Sequence, residues 1–301
     1  MQELYASLLA LLLLLLLGAG MQRRLGLPDS FYEGANALVI RVTLPAMILA
    51  AMDKDFSPET ARNSFNLIFI AAAAFAAVIA GLELWRRFSR QPARTLGLHQ
   101  YLILVGNTAF MGYPVIRAVY GSDGVFYASV FNLVHNLVTF SYAVGLFVRG
   151  KKIEWRGLLS NTCLMATCVG IVLFLSPFRL PAAVHQALTW AGEITIPLCL
   201  LSLGARFARQ PLRGLIRTPA VWWVSLVRLV LFPLILLPVL RLLGFGGMTL
   251  GIPCVMFATP VALTAATFAE QYGADSGFAS NAVLLSNLLA VCTLPAVVLF
   301  L

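Results

Sequence analysis

Residues 41–50 read Arg-Val-Thr-Leu-Pro-Ala-Met-Ile-Leu-Ala, and residues 193–202 read Glu-Ile-Thr-Ile-Pro-Leu-Cys-Leu-Leu-Ser. Thr43, Pro45 and Leu49 of the first stretch fall opposite Thr195, Pro197 and Leu201 of the second, at a constant offset of 152. The same offset relates Tyr120-Gly121-Ser122-Asp123 and Phe126 to Tyr272-Gly273-Ala274-Asp275 and Phe278. One short match in an apolar chain means little. Two matches sharing an offset of about half the 301 residues indicate a duplicated unit. Duplication within an apolar chain is the common build of secondary transporters.

Composition sets the class. The chain is 60% hydrophobic and 11% charged, with a mean hydropathy of +0.89, far from the balance of a soluble domain. A helix needs about 20 residues to cross a hydrocarbon core of roughly 30 Å. Apolar stretches near 4–20, 34–52, 64–85, 99–120, 125–148, 158–177, 183–205, 219–243, 248–271 and 277–301 supply ten such spans, with no room between them for a soluble domain. The expectation is an all-α polytopic membrane protein of ten transmembrane helices.

The net charge of +9 has an address. Arg23 and Arg24 follow span one; Arg86, Arg87, Arg90 and Arg94 follow span three. Arg149, Lys151, Lys152 and Arg156 follow span five, and Arg206, Arg209, Arg213 and Arg217 follow span seven. These fourteen of 21 basic residues share one side if ten spans are present, whereas the opposite loops hold Lys54, Arg62, Arg179 and Arg241. The positive-inside rule then puts both termini outside the cytoplasm, in a multi-pass protein of the cell inner (plasma) membrane. The basic excess is thus a topological signal, and nucleic acid is excluded as its partner. The Leu8–Leu17 run is expected to be a retained first span and not a signal peptide, because Glu3 precedes it and Arg23-Arg24 follow. Cys163, Cys168, Cys199, Cys254 and Cys292 lie in apolar stretches without metal-ligand spacing and read as small buried hydrophobes. No metal and no cofactor are expected.

A repeat of five spans is odd-numbered, so its second copy enters the membrane with opposite polarity. Residues 1–150 and 151–301 are therefore expected to be two inverted five-helix repeats, whose rocking exposes a central site alternately to each side. Span four carries the strongest local anomaly, Gly106-Asn107-Thr108-Ala109-Phe110-Met111-Gly112-Tyr113-Pro114. Span nine answers with Gly251-Ile252-Pro253 and Phe257-Ala258-Thr259-Pro260. Proline removes a backbone donor and glycine lowers helix preference, so both spans are expected to be broken crossover helices. Broken backbone at that depth is tolerated where it is buried or lines a cavity.

Such breaks present half-helix ends that suit an anionic group. The candidate substrate-binding residues are Asn107, Thr108, Gly112 and Pro114 of span four and Thr259 and Pro260 of span nine, with Thr264 a supplement. Span five adds Asn132, His135 and Asn136, on one helical face, and span ten adds Asn281, Ser286 and Asn287. Substrate binding and helix-to-helix bonding are equally open roles for these polar stripes. Arg41 and Glu193 occupy the same place in the two repeats and form either a buried structural pair or a gating, anion-attracting set. Arg228 in span eight has no legible partner, and an anion is one group it would neutralise. Arg117, Glu83 and Glu270 sit near span ends, where snorkelling explains them.

Gly-Asn-Thr-x-x-Met-Gly-x-Pro in span four resembles the auxin efflux carrier family of membrane transporters. So do the Tyr-Gly-x-Asp after it, the Thr-x-Pro of span two, Tyr272-Gly273-x-Asp275 and the C-terminal Thr293-Leu294-Pro295. The resemblance runs along the whole chain in order. It implies a five-plus-five inverted repeat related to bile acid sodium symporters, with spans 1, 2, 6 and 7 as scaffold. Spans 3–5 and 8–10 would then form a transport domain crossed at the broken spans four and nine. The family's crossover asparagine and prolines carry over to Asn107, Pro114 and Pro260. The plant carriers' long cytosolic loop is absent, since only Gly150–Arg156 joins the halves, so plant-hormone transport does not carry over. Small organic anions such as malonate or malate remain.

The expected function is secondary active transport of a mono- or dicarboxylate by alternating access, elevator-like, with the carboxylate at the crossing of spans four and nine. A sodium-coupled symporter and a cation or proton antiporter of the same architecture are the alternatives, and the coupling ion, H+ or Na+, is left open. An antiporter is disfavoured because no aspartate lies inside a span. An intramembrane enzyme would need a nucleophile–base pair or metal ligands, and His99, His135 and His185 fall in different segments. A non-transporting receptor would not require two matched breaks. Membrane lipid and a second copy of the chain, in a homodimer, complete the expected partners.

Overall fold

The computed structural model describes residues 2–147, 155–209 and 218–301. Arg149, Lys151, Lys152, Arg213 and Arg217, and the expected repeat junction at 150/151, lie outside the described residues. The described residues form helices α1 (Gln2–Leu25), α2 (Asp29–Leu38), α3 (Leu44–Met52), α4 (Pro58–Phe88), α5 (Ala93–Leu104), α6 (Tyr113–Val138), α7 (Trp155–Leu159) and α8 (Thr162–Leu175). The rest are α9 (Ala182–Glu193), α10 (Thr195–Arg209), α11 (Pro219–Leu226), α12 (Phe232–Leu242), α13 (Gly247–Phe257), α14 (Ala265–Gln271) and α15 (Ser276–Leu299). No β-strand occurs among them.

Among the described residues, six helical stretches are long and apolar enough to cross a membrane: Tyr5–Leu25, Asp29–Met52, Pro58–Phe88, Ala182–Arg209, Pro219–Leu242 and Ser276–Leu299. They coincide with expected spans one, two, three, seven, eight and ten. Apolar α8 and α13 are shorter, and span four is interrupted after α5. Pro58 and Pro219 open α4 and α11, where a missing N–H costs nothing, and the Asn161 and Asp275 side chains cap α8 and α15.

Two long spans contain a widened π turn just before a proline. Leu44 N–H reaches Val39 O ahead of Pro45, and Phe232 N–H reaches Val227 O ahead of Pro233. A proline ring crowds the carbonyl four residues back, and an extra residue in the turn relieves it. The glycines of the two Tyr-Gly-x-Asp matches both have a positive φ. Gly121 interrupts α6 with φ 63°, and Gly273 follows α14 with φ 67°. Only glycine adopts that left-handed region without strain.

The chain divides into two compact units, each drawing on both halves of the sequence. The first comprises Met1–Phe65, Ala109–Val130 and Leu159–Pro211. Its helices approach through glycine. A Cβ on Gly18 would overlap the Leu201 backbone, one on Gly204 the Leu15 carbonyl, and one on Gly192 the Met47 backbone. Close backbone approach at small residues is how helices associate where lipid removes the hydrophobic drive. Thr195 Oγ1 donates to Thr43 Oγ1 at 3.0 Å, so the matched threonines, 152 apart, meet each other. Ion pairs lie at the loops, Lys54–Asp123 (2.9 Å), Arg179–Asp55 (3.2 Å) and Arg209–Asp29, and His185 Nδ1 hydrogen-bonds with Asp53 Oδ2 at 2.7 Å.

The second unit comprises Asn66–Thr108, Phe131–Leu158 and Leu212–Leu301. Ile70, Leu240, Leu250 and Cys254 form one apolar cluster in it, and Phe75 packs on Phe131 and Phe257. A cavity of about 650 Å³ lies between α4 and α11–α12, walled by Phe69, Trp85, Trp223 and Phe232. It offers almost no polar group that could orient an ion.

Candidate functional site at two interrupted helices

The second unit holds a site of a different kind. α5 stops at Leu104, and Val105 turns into extended backbone (φ −96°, ψ 114°). α13 stops at Phe257, and helix resumes only at Ala265. The two gaps lie against each other as an isolated antiparallel bridge between Gly106 and Val261. Asn107 N–H donates to Pro260 O (2.7 Å), and Ala262 N–H donates to Val105 O (3.2 Å). Pro260 lacks an N–H, so the bridge uses its carbonyl and asks nothing else of its backbone.

Side chains satisfy what the bridge leaves. Gly106 N–H donates to His135 Nε2 (3.4 Å), and Val261 N–H to Ser286 Oγ (3.0 Å). Asn287 Nδ2 donates to Val261 O (3.0 Å) and to Val283 O (2.8 Å). Its Oδ1 accepts from Asn107 Nδ2 at 2.9 Å. Asn107, Thr259, Ser286, Asn287 and Arg228 are each at most 3% exposed. Buried backbone donors and acceptors must be paired; here two non-helical segments manage it by using each other.

Six buried side-chain polar atoms have no hydrogen-bond partner among the described residues, and two of them, Asn132 Oδ1 and His135 Nδ1, lie three residues apart on α6, on the residue that meets Gly106 and its neighbour one turn before. A neutral ring that accepts at Nε2 carries its proton on Nδ1, so the pair is one free donor and one free acceptor. Leaving either unmade is costly in a dry interior. Arg228 sits in the π turn Val227–Leu231 and donates to Ile103 O (2.6 Å), Thr259 O (2.9 Å) and Thr259 Oγ1 (3.4 Å). A Cβ on Gly106 would overlap both the guanidinium and the Thr259 hydroxyl, which explains glycine there.

Of the sequence candidates, Asn107, Thr259, Pro260, Asn287 and His135 come together at the bridge. Thr108 is buried beside Asn107 in sequence and opens the π turn Thr108–Gly112. Gly112 and Pro114 are buried in the first unit, where α6 begins. Asn136 and Asn281 are half-buried. Arg41 and Glu193 do not form the expected pair. Both are exposed, and no ion pair joins them. Glu193 instead lines a pocket of about 230 Å³ with Arg117, Ser122, His185 and Thr189, within the first unit. Arg228 is the central residue that sequence reasoning left unplaced. Its acceptors are carbonyls from segments far along the chain, and carbonyls carry no residue code.

A model of the family described as membrane transport protein matches residues 4–156 and 146–298. A Methanothermobacter thermautotrophicus protein named as a transporter, without a stated substrate, is 26% identical over 96% of this chain and 95% of its own. A Methanocaldococcus jannaschii transporter, also without a stated substrate, is 21% identical over 84% of each chain. A Rhizobium meliloti protein provisionally named a malonate transporter is 21% identical over 93% of this chain and 90% of its own. Apolar membrane-length helices, two interrupted helices bridged in a polar cluster, and a family match to both halves agree. The chain belongs to the membrane transport protein family, that of the auxin efflux carriers, and is a multi-pass transporter rather than an enzyme.

Proposed function

We propose that this protein is a secondary active transporter of a small organic anion, a mono- or dicarboxylate of the malonate or malate class. It works by alternating access, elevator-like, with the carboxylate bound at the bridge of the two interrupted helices. The observation that carries the reading is the unpartnered pair on α6. His135 Nδ1–H suits a carboxylate oxygen, and Asn132 Oδ1 suits a hydroxyl or protonated carboxyl. The adjacent cation, Arg228, favours negative charge. In this reading Asn107, Thr108, Thr259, Pro260 and Asn287 shape the site, and Asn136 and Asn281 extend the polar path.

The same proposal takes residues 1–150 and 151–301 as inverted five-helix repeats of one ten-span protein in the cell membrane, with both termini extracytoplasmic. The loop arginines and the matched left-handed glycines support it. The malonate in a relative's name, at 21% identity, supports the class of substrate and no finer choice.

Counterflow into proteoliposomes preloaded with a panel of mono- and dicarboxylates tests the reading. At least one anion should drive uptake of its own labelled form well above empty vesicles. Uniformly flat uptake, from protein that remains monodisperse, overturns it.

A further inference from the structure

Two helices, α5 and α13, end at the bridge, and the last carbonyls of a helix carry partial negative charge. In a dry interior two such ends brought together call for a cation, which either an ion or a side chain can supply. Ile103 belongs to the last turn of α5, and its carbonyl accepts from Arg228 Nη1 at 2.6 Å. On the other side, Arg228 Nε donates to Thr259 O at 2.9 Å, and Nη2 approaches Thr259 Oγ1 at 3.4 Å. The Thr259 hydroxyl in turn donates to Met256 O (2.6 Å), in the last turn of α13. One guanidinium therefore caps both helix ends, directly on one and through a threonine on the other.

No carboxylate among the described residues cancels its full charge. Arg228 is 2% exposed, and no ion pair among the described residues includes it. No aspartate or glutamate is buried among the described residues of the second unit. Helix ends offset a fraction of a charge, so a net positive charge is left beside the free His135 Nδ1–H and the Gly106 backbone. An intramembrane cation without a carboxylate is expensive and marks function. The π turn that carries Arg228 is a second irregularity of the kind found at working sites.

We propose that Arg228 is the resident counter-charge of the bridge: it stands where a coupling cation would otherwise join the two helix ends, and it sets the sign of the ion that binds beside it. The proposal rests on the organic-anion reading above and adds a residue and a rule to it. With the carbonyls of Ile103 and Thr259 occupied, the site has no vacant oxygen cage for sodium at that point, and selection for an anion is built into the protein.

Three measurements on the full-length protein test this. Counterflow of the best anion should be unchanged when choline replaces sodium, and a dependence above about fivefold overturns the proposal. Arg228→Gln should raise KM about tenfold or more, the loss expected when a charged hydrogen-bond partner goes, while Arg228→Lys recovers most of it by restoring charge without the fork. Equal KM in wild type and R228Q, or R228K no better than R228Q at equal Tm, overturns it. The third measurement needs neither a folded variant nor a known substrate. Purified wild-type protein should show no saturable, sodium-specific rise in Tm over potassium or choline, and such a rise overturns the assignment. If no anion is exchanged at all, the transport reading fails and the sodium titration still decides the role of Arg228. If anions are exchanged and R228Q behaves as wild type, the role of Arg228 fails alone.

Discussion

Thr43 and Thr195 meet across two spans that stay helical but for a π turn in one and a single-residue step at Ile194 in the other, whereas Gly106 and Val261 meet across two spans whose helix stops outright. At the threonine contact the departures from helix span no more than a turn. Glycines bring the backbones together, and a single hydroxyl pair joins the matched positions. In the second unit the helices give up backbone bonds in mid-course; Ser286, Asn287, His135 and Arg228 take over freed groups, and Asn107 bonds Asn287. Small residues make a contact that needs almost no polar chemistry. The interrupted helices make one that consists of little else, and that is where an ion can be handled.

The sharpest way to break this contrast is steric. Gly204→Val places its side chain on the Leu15 carbonyl, which no rotamer can avoid, so α1 must leave α10. The expected cost is about 3 kcal/mol, seen as loss of monodisperse protein in fluorescence-detected size exclusion. A monodisperse G204V protein would show that glycine contact is not what holds the first unit.

Asn107→Ala acts through chemistry. It strands Asn287 Oδ1 in a buried site, a cost of about 1–3 kcal/mol, and takes an amide from the proposed binding site. Uptake should fall roughly tenfold to a hundredfold, with a measurable drop in Tm. From sequence alone one would expect the residue to serve the ligand and hardly the fold; the Asn107–Asn287 bond gives it a part in the fold. Wild-type apparent affinity in N107A would remove the bridge as the binding site.

Much of this was legible before any coordinates. Uninterrupted apolar runs gave the six long helices, and Gly106, Gly112, Pro114 and Pro260 announced that spans four and nine would not run through. The partner of each break was not legible. A bridge through Pro260 O and Val105 O is written in backbone atoms, which every residue shares. The π turns escaped for a related reason: Pro45 and Pro233 signal a disturbance without saying that a wider turn absorbs it. Arg41 and Glu193 misled because equal positions in two repeats were taken for proximity. Two residues further on, the threonines do meet.

Those threonines supply the next test, and a smaller effect. Thr43→Val and Thr195→Val should each cost about 1 kcal/mol, with most of it appearing as coupling in the double-mutant cycle and with uptake unchanged. A transport defect would mean that the first unit's contact does more than hold. The smallest effect belongs to Arg41 and Glu193. With no ion pair between them, Arg41→Glu and Glu193→Arg should add in thermal-shift measurements to within about 0.3 kcal/mol. Rescue by the swap would restore the pair that the structure lacks.

The two-rung bridge also sets a kinetic signature. Amides outside helices in a membrane protein ordinarily trade hydrogen for deuterium fast once water reaches them, because nothing cooperative protects them. Asn107 and Ala262 are protected by each other's segment, one rung apiece. Neither strand can fray alone, because lifting one rung exposes a donor on one interrupted helix and a carbonyl on the other. Deuterium therefore enters both gaps in a single correlated event, at one rate, and that rate measures how often the two breaks come apart.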